Sequence, residues 1–275
     1  MEGVEFFDWR LNPDKPFSYF LMDYPEHISP RSPDMHSALH FGFAVKGELI
    51  GRFSGKTVCS APGEFYLTAP WEPHYTVSVA ANHRLLLINI DWGSLQNMFF
   101  TGKNRLQSLL LMTPDLRMKH LNRRLHGSSA GDALLKAVML PEGEDKDLRL
   151  WNLIQQIFIS VLPEQNEAIS AGEEDYQRLL PALKGLSNIL LSVESAAAKC
   201  HLSPGYFSVL FKKQFGMSFG RYERNFRLNG AENALRRGAS LKEAADFWGF
   251  CDKSHLSRLL KERLKPEPAS DGGSI

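Results

Sequence analysis

The chain has 275 residues, a net charge of +1, 43% hydrophobic and 23% charged residues, which suits two ordinary globular domains rather than one small one. It contains no run of 18 or more apolar residues, which excludes a helical membrane span, and the opening MEGVEFFDWR has no basic flank before an apolar run, so no signal peptide is expected. Cys59, Cys200 and Cys251 lie far apart with no C-x-x-C pair; the simplest reading is a reduced, cytoplasmic compartment with all three acting as small buried apolar residues.

Residues 1–100 read as β structure. The runs FSYFLMDY, ALHFGFAVKGEL, GRFSGKTVCS, GEFYLTAP, HYTVSVA and HRLLLINIDW are separated by Gly, Pro and Asp. Many short strands at such spacing indicate a sandwich or barrel. Lys46-Gly47 and Ser54-Gly55 have the composition of hairpin turns. From about Ser94 the apolar spacing changes to three and four, which predicts helices over SLQNMFF, NRLQSLLLM and LRMKHLNRRL. Loops are expected at 126–132 and 141–147, with a helical pattern over Ala133–Leu140 between them. Leu148–Leu162 predicts an apolar helix with the stripe Leu150, Leu153, Ile154, Ile157, Phe158 and Val161. That stripe suits either packing on the β region or pairing with a second copy of the chain. Residues 163–175 are polar with Pro and Gly and read as an interdomain linker. The chain then reads as helix from Tyr176 to Lys265.

Two helix-turn-helix patterns, about 48 residues apart, lie between Ser192 and Arg263. The first is SVESAAAKCHLSPGYFSVLFKKQFG and the second is SLKEAADFWGFCDKSHLSRLLKERL. Such a unit needs a small residue where its helices cross, and Ala197 and Ala245 occupy those positions. Ser203 before Pro204 predicts an N-cap followed by proline at the first helical position; Asp252 is the matching cap of the second unit. Phe207, Leu210 and Phe211 form one apolar face, and Leu256, Leu259 and Leu260 form its counterpart. The opposite faces carry Gly205, Ser208, Lys212 and Lys213, then Lys253, Ser254, Ser257, Arg258 and Lys261. Charge is distributed to match: residues 1–172 carry 16 basic against 19 acidic side chains, whereas 198–265 carry 14 against 6. A basic third on a near-neutral chain points to a local polyanion partner.

These residues resemble the C-terminal domain of the AraC/XylS family of bacterial transcription regulators. Ser203-Pro204, Phe211-Lys212, Gly216, Arg227-Leu228, Ala231, Leu235, Ala245, Gly249-Phe250, Arg258 and Lys261 fall on the family's pattern. The resemblance implies two reader helices entering successive major grooves, joined by a long helix over Phe219–Arg236. It assigns base reading to Lys253, Ser254, Ser257 and Arg258, and in the first unit to Gly205, Tyr206, Ser208 and Val209. Lys212, Lys213 and Lys261 are assigned to phosphates. The first unit offers no bidentate side chain, so Arg258 is the foremost candidate for a guanine contact. His201 stands where the family often has Gly, Leu256 and Leu260 replace Phe, and Lys265 replaces a helix-ending Gly.

The N-terminal region is similar to the family's sensory half, a cupin-like barrel. The segment Pro62-Gly63 to Pro73-His74 follows the family's strand-turn-strand pattern. Metal-binding cupins use two His, a Glu and a later His, and here Asp34, His36, His40 and His74 would stand in their places. The alternative is that these histidines line an effector pocket with Tyr66 and Trp71; no metal and no cofactor are assigned. The expected architecture is α+β in two domains: residues 1–165 form a cupin-like barrel with following helices for effector sensing and dimerisation, and 174–266 an all-α tandem helix-turn-helix. The expected function is non-enzymatic, a cytoplasmic homodimeric DNA-binding regulator. Its expected partners are double-stranded DNA, RNA polymerase and a small effector of the sugar or aromatic-acid class, with no membrane. The alternatives are a cupin metalloenzyme with a basic helical appendage and a constitutive DNA-binding regulator without effector.

Overall fold

A computed structural model describes residues 11, 13–24, 35–36, 38–79, 81–99, 101–164, 171–236 and 238–263. Seven strands come first: β1 (Phe17–Tyr24), β2 (Leu39–Lys46), β3 (Leu49–Phe53), β4 (Lys56–Ser60), β5 (Phe65–Leu67), β6 (His74–Val79) and β7 (His83–Ile90). They make two antiparallel sheets, ordered β1-β7-β2-β5 and β4-β3-β6. Among the described residues no backbone ladder joins the sheets, so the expected barrel is an open pair of sheets. Lys46-Gly47, expected as a hairpin, is instead a crossover, because β2 and β3 do not pair. Gly47, at φ 74°, carries the chain from β2 in one sheet to β3 in the other. Ser54-Gly55 is the hairpin expected: both residues have positive φ, 47° and 78°, and they join the paired strands β3 and β4.

Strand alternation sorts the side chains between two cores. Leu39, Phe41 and Phe43 of β2, Phe65 and Leu67 of β5, and Leu86, Ile88 and Ile90 of β7 face one core. Tyr66, Leu85 and Leu87 face the other, together with Leu49 and Phe53 of the three-stranded sheet. By the same alternation His40 and Gly42 turn toward this second core. Gly42 has no room for a side chain because the ring of Tyr66 lies over it.

Five helices cover the first core: α1 (Trp92–Met98), α2 (Lys103–Leu111), α3 (Pro114–Leu125), α4 (Ala130–Val138) and α5 (Glu144–Val161). Both α4 and α5 begin earlier than apolar spacing indicates, because their first turns are polar. Asp132 opens α4 and Glu144, Asp145 and Asp147 open α5, where acidic groups favour the positive helix end. The α5 stripe is absorbed within the chain: Leu150, Ile154, Ile157, Phe158 and Val161 are buried, and the Phe158 ring lies 5.5 Å from that of Phe41. Burying each such side chain contributes roughly 1.5–3 kcal/mol.

Six helices follow: α6 (Ala171–Lys184), α7 (Val193–Lys199), α8 (Pro204–Phe215), α9 (Phe219–Arg236), α10 (Leu241–Phe247) and α11 (Lys253–Arg263). The α9 bounds are those the family resemblance implied. Residues 171–175, expected in the linker, belong to α6, which packs Leu179 and Ala182 into the core of the first helical unit. Only Cys200 is buried; Cys59 and Cys251 are exposed, against expectation. Cys59 sits on the outward face of β4, where its thiol donates to Glu48 Oε1 at 2.5 Å and is pushed up to about 11 by burial and by that carboxylate. Among the described residues no helix is long and apolar enough to cross a membrane.

Candidate functional site

The two helical units repeat one another in backbone detail. In the first, Ser192 Oγ accepts from Ser195 N–H at the start of α7, and Leu202 N–H donates to Ala197 O at 3.0 Å through the turn. In the second, Ser240 and Glu243 form a reciprocal capping box, and Phe250 N–H donates to Ala245 O at 2.9 Å. Ala197 and Ala245 are fully buried at the crossings. The turn needs a left-handed residue in each: Gly249 at φ 67° in the second, His201 at φ 55° in the first. Ser203 then caps α8 through Tyr206 N–H at 3.3 Å, and Asp252 caps α11 through His255 N–H at 2.8 Å.

The caps aim two exposed faces outward. On α8, Gly205, Ser208, Lys212 and Lys213 are exposed, and Tyr206 and Val209 stand 47% and 68% exposed. Ser208 Oγ donates to Pro204 O at 2.8 Å, so its hydroxyl proton is committed to the helix. Lys213 pairs with Asp175 on α6 at 3.0 Å. On α11, Lys253, Ser254, Ser257, Arg258 and Lys261 line one open groove with Glu262. Glu262 lies 3.9 Å from Arg258, an exposed i,i+4 pair that leaves the guanidinium fork accessible.

What sets the two faces relative to each other is α9, and here the geometry adds residues whose roles were not read from sequence. Arg227 is buried and donates to Glu223 through Nε at 2.6 Å and Nη2 at 3.2 Å. Its Nη1 donates to Trp248 O at 3.0 Å and Gly249 O at 2.9 Å, the turn of the second unit. Glu223 Oε1 also accepts from Leu191 N–H, just before the first unit, at 3.4 Å. One ion pair thus ties both units to the linker helix. Its sequence signal was a Glu and an Arg four apart on a helical pattern. Gly230 supplies the remaining contact, since the indole of Trp248 occupies the place of a side chain there.

In the N-terminal domain, the structure brings together three of the expected pocket residues. His36, His40 and His74 have ring centroids 4.3, 4.8 and 5.0 Å apart. His36 precedes β2 and His40 lies on it, and the two converge across the strand's entrance. His40 N–H donates to Thr68 Oγ1 at 2.9 Å. Burial, and then the neighbouring His36 and His74, hold the His40 imidazole well below its ordinary value, so it is neutral. Tyr66 lies deeper between the sheets, its phenol raised by burial. Asp34 lies outside the described residues.

Trp71 goes elsewhere. With φ at 60° it turns its indole onto Phe226 of α9, ring centroids 4.6 Å apart, and its carbonyl accepts from Tyr222 Oη at 2.8 Å. Asn229 of α9 donates to Met35 O, and Met35 itself is buried in the core of the first helical unit. The β3–β4 turn reaches the end of α8, where a β-carbon on Gly55 would lie 2.8 Å from Gly216 Cα. Asparagine tolerates the left-handed turn but carries that β-carbon. Gly55→Asn is therefore expected to keep the hairpin and loosen the domain contact. Calorimetry would then show two unfolding transitions where the parent shows one; an unchanged single transition would refute this.

Two capped helix-turn-helix units in fixed relation, beside a two-sheet domain, define a tandem helix-turn-helix protein. Comparison with known proteins agrees. Residues 196–270 match the family described as a helix-turn-helix domain. The chain is 25% identical over 160 residues to YijO of Escherichia coli (strain K12), an HTH-type transcriptional regulator, across 56% of each chain. It thus spans about half the length of that curated relative. Crystal structures of ToxT from Vibrio cholerae share the fold. The O395 protein aligns at 11% identity and TM-score 0.50, over 90% of this chain and 93% of that one. An apo single-residue variant from strain SCE256 aligns at 11% and 0.52, over 90% and 94%. The helical C-terminal region of the chain is thus a helix-turn-helix domain of the matched family, carried on a ToxT-like two-domain fold.

Proposed function

We propose that the protein is a sequence-specific, double-strand DNA-binding transcription regulator whose occupancy is controlled by a small molecule in the N-terminal domain. One observation carries this reading. Two reader faces stand exposed on α8 and α11, and a single buried ion pair on α9 fixes their separation. Such a frame presents two helices to two successive major grooves. The readers are not equivalent. The α11 groove holds a guanidinium and two ammonium groups, whereas α8 offers the committed Ser208 hydroxyl, the Tyr206 phenol and two lysines near its end. We assign α11 to base reading, centred on Arg258, and α8 to positioning through Lys212 and Lys213. The effector would enter among His36, His40, Tyr66 and His74, and the protein would act in the cytoplasm as a homodimer that contacts RNA polymerase.

The test is binding to fragments of the gene's own upstream region at several salt concentrations. Arg258→Ala is expected to lose about 1–3 kcal/mol against one base position and little against others. Lys261→Ala should weaken all sequences alike and lower the salt slope by about 1. Binding that ignores salt, or an Arg258→Ala loss that is uniform over every sequence, would overturn the assignment.

A further inference from the structure

The three imidazoles near the domain boundary are arranged for more than lining a pocket. His36 Nδ1 lies 3.0 Å from Ala38 O, and His74 Nδ1 lies 2.8 Å from Glu72 O. A carbonyl only accepts, so each Nδ1 carries a proton and Nε2 is the nitrogen left to offer a lone pair to a metal. A backbone carbonyl on the far nitrogen is the outer-shell device that fixes the tautomer of a metal-bound histidine. One ligand atom from each of His36, His40 and His74 lies within 4.8 Å of the other two. Tetrahedral Zn–N bonds of about 2.0–2.1 Å place ligand nitrogens roughly 3.3 Å apart, so ring rotations of under about 1 Å close the site. All three donors are imidazoles, which suit zinc, copper and nickel and not magnesium or calcium.

The cluster's position matters as much as its chemistry. His40 belongs to the four-stranded sheet and His74 to the three-stranded one, so an ion here joins sheets that no backbone ladder connects among the described residues. Each flanking segment also grips the helical domain. The residue before His36 accepts from Asn229, while His36 O accepts from Trp71 N–H at 2.7 Å. Trp71 in turn holds Tyr222 and Phe226. Glu72, whose carbonyl orients His74, accepts from Ser54 in the turn that touches Gly216.

We propose that His36, His40 and His74 bind one divalent transition-metal ion of the zinc class through their Nε2 atoms, and that this ion clamps the sensor domain onto α9. Three protein ligands leave the fourth position to water. The loaded state holds the 35–36 and 68–74 segments together and so stabilises the docked α9; the empty state lets the contact open. Control of DNA occupancy by this clamp rests on the regulator reading above; the site and the clamp do not.

The experiment uses the full chain, stripped with chelator and titrated with zinc chloride by calorimetry, with cobalt chloride as the spectroscopic probe. One ion per chain is expected. His40→Ala and His74→Gln should each weaken binding by at least about 100-fold, beyond the ~10–100-fold typical of losing an outer-shell partner. His126→Ala, on an exposed helix end, should change nothing. His74 is half-buried, so His74→Gln carries the test if His40→Ala does not fold. Hydrogen exchange reads the clamp: zinc at 100 times its Kd should slow amides over Tyr222–Asn229 by up to ~100-fold. Absence of stoichiometric zinc, or binding indifferent to both substitutions, overturns the site. Zinc bound there with unchanged exchange in α9 overturns the clamp. Failure of the regulator reading would appear separately, as no salt-dependent DNA binding in either state, with the zinc and exchange results unaffected.

Discussion

Arg227→Ala is expected to cost about 3–5 kcal/mol and to unfold the second helical unit before the rest of the chain. The substitution leaves the Glu223 carboxylate 2% exposed and without its guanidinium. A buried charge stripped of its partner carries a penalty of that size. It also removes the donor that satisfies Trp248 O and Gly249 O, the turn on which α11 is mounted. Arg227→Lys should recover little, because one ammonium cannot replace a fork that reaches a carboxylate on one side and two carbonyls on the other. Replacing both partners, Glu223→Leu with Arg227→Met, should recover most of the stability, since no charge is then left buried. Urea unfolding of the three variants decides the matter. A loss below about 1 kcal/mol for Arg227→Ala would show that the pair is dispensable.

The second large effect is expected at Arg117, in the other domain. Its guanidinium is almost fully buried and donates to Leu67 O at 2.9 Å, Leu110 O at 3.0 Å and the Glu72 carboxylate. Glu72 spans the 68–74 loop, accepting from Ala69 N–H at 2.9 Å and from Ser54 Oγ at 3.2 Å. Arg117→Met keeps most of the volume and removes the charge, so Glu72 is left buried and unpaired. A loss of about 3–5 kcal/mol is expected, confined to the N-terminal domain. The loop that carries Trp71 and leads to His74 should exchange its amides faster, and so should the α9 residues docked on Trp71, while α10 and α11 keep their protection. Equal loss of protection in both domains would contradict a local role.

The helical half was legible because its signals are local. Caps, small crossing residues and a three-to-four apolar spacing act within one or two turns, so Ser203, Asp252, Ala197 and Ala245 could be read directly, whereas the bounds of α9 came from the family resemblance. The β half was legible only as strands. Which sheet β3 joins depends on the left-handed Gly47, and Lys-Gly composition alone does not separate a hairpin from a crossover. The histidines were picked out by the cupin ligand pattern, but that pattern did not show that His36 meets His40 from outside β2. Trp71 was read as pocket lining because its partner Phe226 lies 155 residues away in sequence. Arg227 and Arg117 had the same obscurity: a buried cation looks like a surface one until its acceptors arrive from distant turns.

The stiffness of α9 has a consequence for the DNA on the reading proposed here. Eighteen helical residues make a strut of about 27 Å, braced at its second-unit end by the Arg227 fork and the Gly230–Trp248 contact. A strut of fixed length behaves as a ruler. Each base pair inserted between two half-sites turns one of them by about 35° relative to the other. Because the protein does not stretch, the duplex must twist or bend to bring a mis-spaced pair back into register, at an elastic cost that depends on its sequence. Base pairs that no side chain touches, lying between the two reader helices, would then influence affinity through their flexibility alone.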